Sequence, residues 1–347
     1  GETVTVQGFG FGGSGTVTLG DEPGTVTSWQ SGQLVIRTAV GARGGDLIIK
    51  PDGRRPIRSG QPVRIRQQWR TWPELPVPVG GETVAVGSLD GQLVVAGGKD
   101  ATGKAIGAVW GYAGRSGQWR SLAPLPTPRY GMTSAVLGNR LYAIGGWSDS
   151  TGYSPVVEVY DPATDSWQRR APLPTGLLGA AAAAVNGQVI VCGGYNGTEQ
   201  ANTYLYDPAG NTWTARSVMP QARFRHGAAN FDGRILVAGG RSGNQPSSNV
   251  IQFDLVANVW SDTTSLPATR AGGTMVSDGV TAWFVDGSDG RPQATLWGFN
   301  GAGWVTLAIP PTARASISGT FGAGEVVIVG GTSGDAAAGR RVESFTP

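Results

Sequence analysis

A single cysteine, Cys192, and a single histidine, His226, occur in 347 residues. One thiol excludes any disulfide within the chain, and one imidazole leaves no histidine-rich metal centre to build. Charged residues make up only 15% of the sequence, and lysine occurs at just three positions, Lys50, Lys99 and Lys104. The 24 arginines are scattered without a dense run, and the net charge is +3, so the charge is too diffuse for a nucleic-acid footprint. No apolar run approaches the roughly 18 residues that a membrane-spanning helix needs, and no signal peptide is visible. Long segments of helical period are also missing. Cys192 stands where comparable stretches carry Ala96, Ile144, Ala238, Val285 and Val329, so it reads as a buried small hydrophobe. His226, beside Arg225, reads as a loop residue.

Glycine, by contrast, occupies 57 positions, which suits many short strands joined by tight turns. The chain is also periodic. A proline follows a tryptophan by seven residues six times: Trp69–Pro76, Trp119–Pro126, Trp167–Pro174, Trp213–Pro220, Trp260–Pro267 and Trp304–Pro311. Nineteen residues after the proline comes a glycine pair at Gly145-Gly146, Gly193-Gly194, Gly239-Gly240 and Gly330-Gly331; Asp286-Gly287 is a degenerate copy and Gly97-Gly98 comes two residues late. A period of 44 to 48 residues with short apolar strands marks the blades of a β-propeller, each too thin to bury both faces without its neighbours. Six units are present, from about residue 67 to 347.

Residues 1–66 differ. GETVTVQGFGFGGSGTVTLG alternates apolar and polar residues, turns at Gly12-Gly13 and resumes as VTSWQSGQLVIRTAV and GGDLIIKPDG, which predicts a small antiparallel sandwich. TVTVQGFGFG followed by SWQSGQLVIRT resembles the immunoglobulin-like IPT or TIG domain. That resemblance implies a spacer or stalk, with Trp29 at a core position. It also implies a further strand ahead of Thr3, so that either this strand is donated from elsewhere or Gly1 is expected to be a cut inside a larger polypeptide.

Within the repeats, GQLVVAGG, NRLYAIGG, GQVIVCGG, GRILVAGG and GEVVIVGG are strands ended by the glycine pair. GMTSAVL, GAAAAAV and HGAANF, rich in small residues, suit the crowded innermost strands. VVEVYDP, NTYLYDP and NVIQFDL are third strands, and the register tryptophan lies on the fourth. The set resembles the kelch repeat, with its arginine before the inner strand, glycine pair, tyrosine and tryptophan. It implies an all-β chain: a six-bladed kelch β-propeller after a small N-terminal immunoglobulin-like sandwich. The last unit ends at RVESFTP without a tryptophan of its own. Residues near 66–72, around Trp69, are therefore expected to supply its outer strand and close the ring. The register tryptophans, with Trp110, Trp283 and Trp297, are expected in the core; Trp72 and Trp147 fall outside the pattern.

Sixteen residues before the glycine pair lie Arg129, Arg223, Arg270 and Arg314, with Leu177 in the third unit and roughly Gly81 in the first. The kelch resemblance places this arginine near one mouth of the channel, where related substrate adaptors hold acidic peptides. It places the residue after the glycine pair on the same mouth: Lys99, Trp147, Tyr195, Arg241, Ser288 and Thr332. Such a ring is suited to carboxylates and to stacking a sugar or apolar side chain. A repeated arginine also has a purely structural use, bonding loop carbonyls, and both readings stand at this point. Loops after the glycine pair vary in length, as specificity loops do. Oxidase propellers with kelch repeats need two His, two Tyr and a Cys crosslinked to Tyr around copper, which one histidine cannot supply. The arginine triad of sialidase-like propellers is matched here only by repeat spacing, and Asn196-Gly197-Thr198 is a lone sequon. The reading is a bacterial extracellular or cell-surface protein that catalyses nothing, needs no cofactor, and recognises a glycan or an acidic peptide. Self-assembly into a surface layer and an unrecognised carbohydrate-active site are the alternatives.

Overall fold

A computed structural model describes residues 3–7, 14–19, 22–30, 33–37, 46–52, 55–58, 68–80, 82–113, 117–243 and 245–347. The turn at Gly12-Gly13, the boundary at residues 66–67 and Gly81 lie outside the described residues. All but one of the described elements are strands, the exception being a short 3-10 turn at Ala336–Arg340.

The N-terminal strands form one antiparallel sheet in the order Thr3–Gln7, Gln33–Arg37, Glu22–Gln30, Gly15–Leu19, Leu47–Pro51, Ile57–Arg58. Where two stacked sheets were expected, one long strand serves both halves. Its first residues pair with Gly15–Leu19, its last with Gln33–Arg37, and the register shifts between Val26 and Ser28. Such a bulge bends the strand, and the two halves share a core of Val17, Leu19, Leu34, Ile36, Leu47 and Ile49, with Trp29 packed against it. Arg37 at the end of its strand forms an ion pair with Asp278 of the repeat region.

The repeats build six four-stranded antiparallel sheets among the described residues. In chain order their innermost strands are Ala85–Leu89, Thr133–Leu137, Ala181–Val185, Gly227–Phe231, Thr274–Ser277 and Ser318–Gly322. Each of these packs on the next, and the sixth on the first, so the sheets stand around a central channel as a β-propeller. Period-two alternation is lost on the second strands: Leu93–Ala96, Leu141–Ile144, Val189–Cys192 and Ile235–Ala238 are buried on both faces because a neighbouring sheet covers each side. Alanines and glycines on the inner strands fit the narrow centre. Where the first sheet meets its neighbours, Ser134 Oγ bridges the backbone of Val86 and Ser318 Oγ that of Val84.

Local chemistry sets the hairpins. Asp90-Gly91, Gly138-Asn139, Asn186-Gly187 and Asp232-Gly233 all hold two successive left-handed residues between the first and second strands. That is the two-residue turn whose twist matches the flanking strands, and Asp, Asn and Gly tolerate it best.

Two repeated features lock sheet to sheet. The indole Nε1 of Trp69, Trp119, Trp167, Trp213, Trp260 and Trp304 donates to a backbone carbonyl of the preceding sheet, at Ala308, Pro73, Ala123, Ala171, Ser217 and Thr264, over 2.6–2.9 Å. The second residue of the glycine pair donates its amide to the sheet that follows: Gly98 to Arg129, Gly146 to Leu177, Gly194 to Arg223, Gly240 to Arg270 and Gly287 to Arg314. At Gly193 a side chain would collide, since a Cβ there would sit 2.5 Å from the Arg223 carbonyl, whereas the fifth sheet holds Asp286 at that position. The last sheet is completed by residues from the start of the repeat region: Gln68–Thr71 pairs with Val342–Thr346, placing Trp69 opposite Phe345. Trp72 is explained by the same closure, donating from Nε1 to Ser344 Oγ at 2.9 Å and packing its ring on Tyr112.

Candidate functional site

The four repeat arginines do not ring an open mouth. Arg129, Arg223, Arg270 and Arg314 are 0%, 1%, 5% and 0% exposed, so each guanidinium lies inside its own sheet. Arg129 Nη1 donates to the carbonyls of Gly145 (2.6 Å) and Val156 (2.7 Å), and Nη2 reaches Glu158 Oε2 at 2.9 Å. Arg314 repeats the arrangement with Gly330, Arg341 and Glu343. In the fourth sheet Ile251 takes the glutamate's register, and Arg223 bonds the Gly239 and Asn249 carbonyls and the Asn249 side chain instead. In the fifth, Trp297 takes it, and Arg270 lies over the indole at 4.9 Å with Asp289 3.6 Å away. In the second, fourth and sixth sheets the arginine is thus a clamp: it ties the glycine pair to the start of the third strand where the sheet must open to turn. Burial lowers the pKa of Arg129 and of Arg314, against which Glu158 and Glu343 push back. As ligand-binding residues all four are corrected by their burial: the donors of Arg129, Arg223 and Arg314 go to buried carbonyls and side chains, while Arg270 donates to the Thr269 carbonyl and lies against Trp297.

The residues after the glycine pair do surround the mouth, each bridged to the residue after the clamp position: Trp147 to Tyr130, Tyr195 to Leu178, Arg241 to Phe224, Ser288 to Ala271 and Thr332 to Ala315. Lys99, bridged to Ala105, places its Nζ 4.0 Å over the Tyr130 ring. From there half-buried aromatic rings run around one side. Trp147 meets Tyr153 edge-on at 5.0 Å, Tyr153 meets Tyr195 at 5.9 Å, and Tyr195 meets Phe224 at 5.3 Å. Tyr153 comes from a small hairpin, Trp147–Ser148 paired with Gly152–Tyr153, that stands on the loop. Burial, with Asp149 and Glu82 adding to it, raises the Tyr130 pKa.

The other side is polar. A cavity of about 440 Å³ is lined by Arg225, Arg241, Gln245, Ser288, Asp289, Ser316 and Thr332 among others. Arg225 carries one wall and is a residue that spacing arguments passed over. Its innermost-turn position is glycine at 131, 179 and 272, so an arginine there was a legible exception. Its Nη2 meets Glu82 Oε1 at 2.5 Å.

His226 lies not in an open loop but buried at 5% exposure, its Nε2 3.7 Å from Cys192 Sγ. Burial, reinforced by Arg223, holds its pKa down at about 3, and burial pushes the Cys192 thiol up to about 12. Both groups are neutral and unreactive at ordinary pH. Among the described residues no three His, Cys, Asp or Glu side chains gather as a metal site, and no helix is long and apolar enough to cross a membrane.

The family model of the Attractin/LZTR1 beta-propeller matches residues 69–297. The Kelch-like protein terF of Aspergillus terreus (strain NIH 2624 / FGSC A1156) is 32% identical over 104 residues, 28% of this chain and 22% of that protein. The chain therefore aligns with under a quarter of that relative's length. Among solved structures, YjhT superposes with a TM-score of 0.65 at 19% identity, covering 78% of this chain and 95% of its own, a likeness of fold.

Proposed function

The chain belongs to the Attractin/LZTR1 β-propeller family, and from that premise we propose that it is a non-catalytic interaction protein that binds an acidic segment of a partner protein at the mouth. On this reading the six sheets are the blades of a kelch propeller and residues 1–66 an IPT-like spacer that holds it off a bacterial cell surface. One observation carries the proposal: a run of aromatic rings from Trp147 to Phe224, whose last member is bridged to Arg241, stands next to a polar cavity lined by Arg225 and Arg241. Aromatic rings supply contact area at low entropic cost, and arginine forks select carboxylates. Three titratable groups near the mouth are already committed. His226 is neutral and buried, while Glu82 and Asp289 are each engaged by an arginine. The half-buried rings also favour a second reading, in which a glycan stacks on Trp147 and Tyr195.

An array of acidic peptides and glycans, probed with the wild-type chain and with Trp147→Ala/Tyr195→Ala and Arg225→Gln/Arg241→Gln variants, tests this. Peptide binding lost in the arginine pair is the expected outcome. Glycan binding lost only in the aromatic pair selects the second reading. Binding that survives both pairs places the function away from the mouth.

A further inference from the structure

Backbone hydrogen bonds circle the mouth at its innermost turns. The amide of Gly131 donates to the Thr83 carbonyl, Gly179 to Gly131, Arg225 to Gly179 and Gly272 to Arg225, over 2.7–2.9 Å. The turn residues are left-handed: Gly131, Gly179, Arg225, Gly272 and Ser316 have φ of 62°, 59°, 55°, 70° and 55°. Glycine takes that conformation freely and a long side chain does so at a cost. Arg225 therefore stands where the fold itself favours glycine.

Its side chain reaches across the mouth. Arg225 belongs to the fourth sheet and Glu82 to the turn leading into the first, which lies opposite in a ring of six. Their ion pair, 2.5 Å long with side chains 31% and 17% exposed, is a strap over the channel, and the cavity of about 440 Å³ opens beside its arginine end. Glu82 engages the guanidinium through Nη2; an incoming carboxylate can take the fork through two nitrogens, the stronger geometry.

We propose that Glu82 is an internal stand-in for the ligand: an aspartate or glutamate side chain of the partner displaces it from Arg225, so that Glu82 sets the affinity threshold of the mouth and unstraps the channel when released. This rests on the mouth being a site for acidic segments, and it adds Glu82 as the specificity-determining residue. Ligands without a carboxylate are refused because they leave Arg225 and Glu82 paired across their path.

Fluorescence anisotropy with a labelled hexaglutamate peptide at low salt reads the exchange. Glu82→Gln is expected to bind about tenfold more tightly than wild type. Glu82→Asp, whose shorter arm holds the strap poorly, should fall between them. Arg225→Gln should bind weakly, and adding Glu82→Gln to it should recover only the part due to charge repulsion, well short of the tenfold gain that Glu82→Gln gives when Arg225 is present. Thermal melts of each variant report that the ring is folded. If Glu82→Gln and Glu82→Asp bind no more tightly than wild type while Arg241→Gln still weakens binding, the strap is overturned and the mouth reading stands. If no variant binds hexaglutamate, Glu82→Gln included, both are overturned.

Discussion

Removing a clamp arginine should cost stability and not recognition, and Arg129→Met is the sharpest case. Methionine keeps the unbranched stem but supplies no donor, so the carbonyls of Gly145 and Val156 lose their Nη1 bonds and Glu158, 1% exposed, loses its charged partner at 2.9 Å. Thr127 Oγ1 at 2.8 Å and the exposed Arg169 at 3.9 Å are all that remain beside the carboxylate. Breaking a buried pair from one side costs about 3–5 kcal/mol, because the surviving charge is left uncompensated. At about 2–4 °C per kcal/mol for a domain of this size, the melting temperature should fall by roughly 6–20 °C. Arg129→Met/Glu158→Leu removes the stranded charge and should recover part of that, leaving about 1–3 kcal/mol for the orphaned carbonyls. The fourth sheet is an internal control. Arg223 faces the neutral Asn249, so Arg223→Met should cost only about 1–3 kcal/mol. Urea and thermal unfolding of the four proteins decide the matter. The reasoning is refuted if Arg129→Met falls within about 1 kcal/mol of wild type, or if the double variant is no more stable than the single one.

Deleting residues 67–76 leaves Val342–Thr346 without its outer partner and should lower the melting temperature of the whole ring by more than about 10 °C; an unchanged melt by differential scanning calorimetry contradicts closure by that strand. His226 has a folded-state pKa of about 3 against an ordinary 6.5, so on acidification the unfolded chain takes up the proton first. Its contribution is full above pH 6.5 and drains away as the pH falls towards 3, by up to about 1.4 kcal/mol per pH unit. Urea titrations of wild type and His226→Gln between pH 7 and pH 4 should diverge accordingly, and parallel curves would count against it.

The repeat was readable because its spacing is written in residues with little freedom of role: tryptophans that bridge sheets, left-handed glycines packed against a neighbouring carbonyl, and Asx-Gly turns. The direction of the arginines was not readable. What turns Arg129 and Arg314 inward is a glutamate 29 residues on, and in the other two arginine-bearing sheets that register is held by Ile251 and Trp297, so no constant partner advertised the clamp. The aromatic side of the mouth was half visible in Trp147 and Tyr195, but Tyr153 rides on a loop hairpin whose counterpart at Arg241–Ser242 and Gln245–Pro246 carries no aromatic residue in its strands. Glu82 and Arg225 lie 143 positions apart, and only the closed ring brings them together. In residues 1–66 the alternation located the strands, while the bulge that lets one of them serve both halves of the sheet depends on backbone geometry that alternation does not encode.

The pairing of Gln68–Thr71 with Val342–Thr346 also has a consequence during synthesis. A strand made before the first complete sheet must wait, its edge unmatched, until the ribosome has delivered the partner strand of the sixth. Sheets one to five can gather in order as they emerge, each docking its tryptophan on the one before. The final joint is different in kind: it waits for Val342–Thr346 to emerge, and until it forms the ring carries two open ends. Those ends are complementary to each other and equally to the ends of a neighbouring nascent chain. Closing on itself therefore competes with joining the open edge of a neighbouring chain.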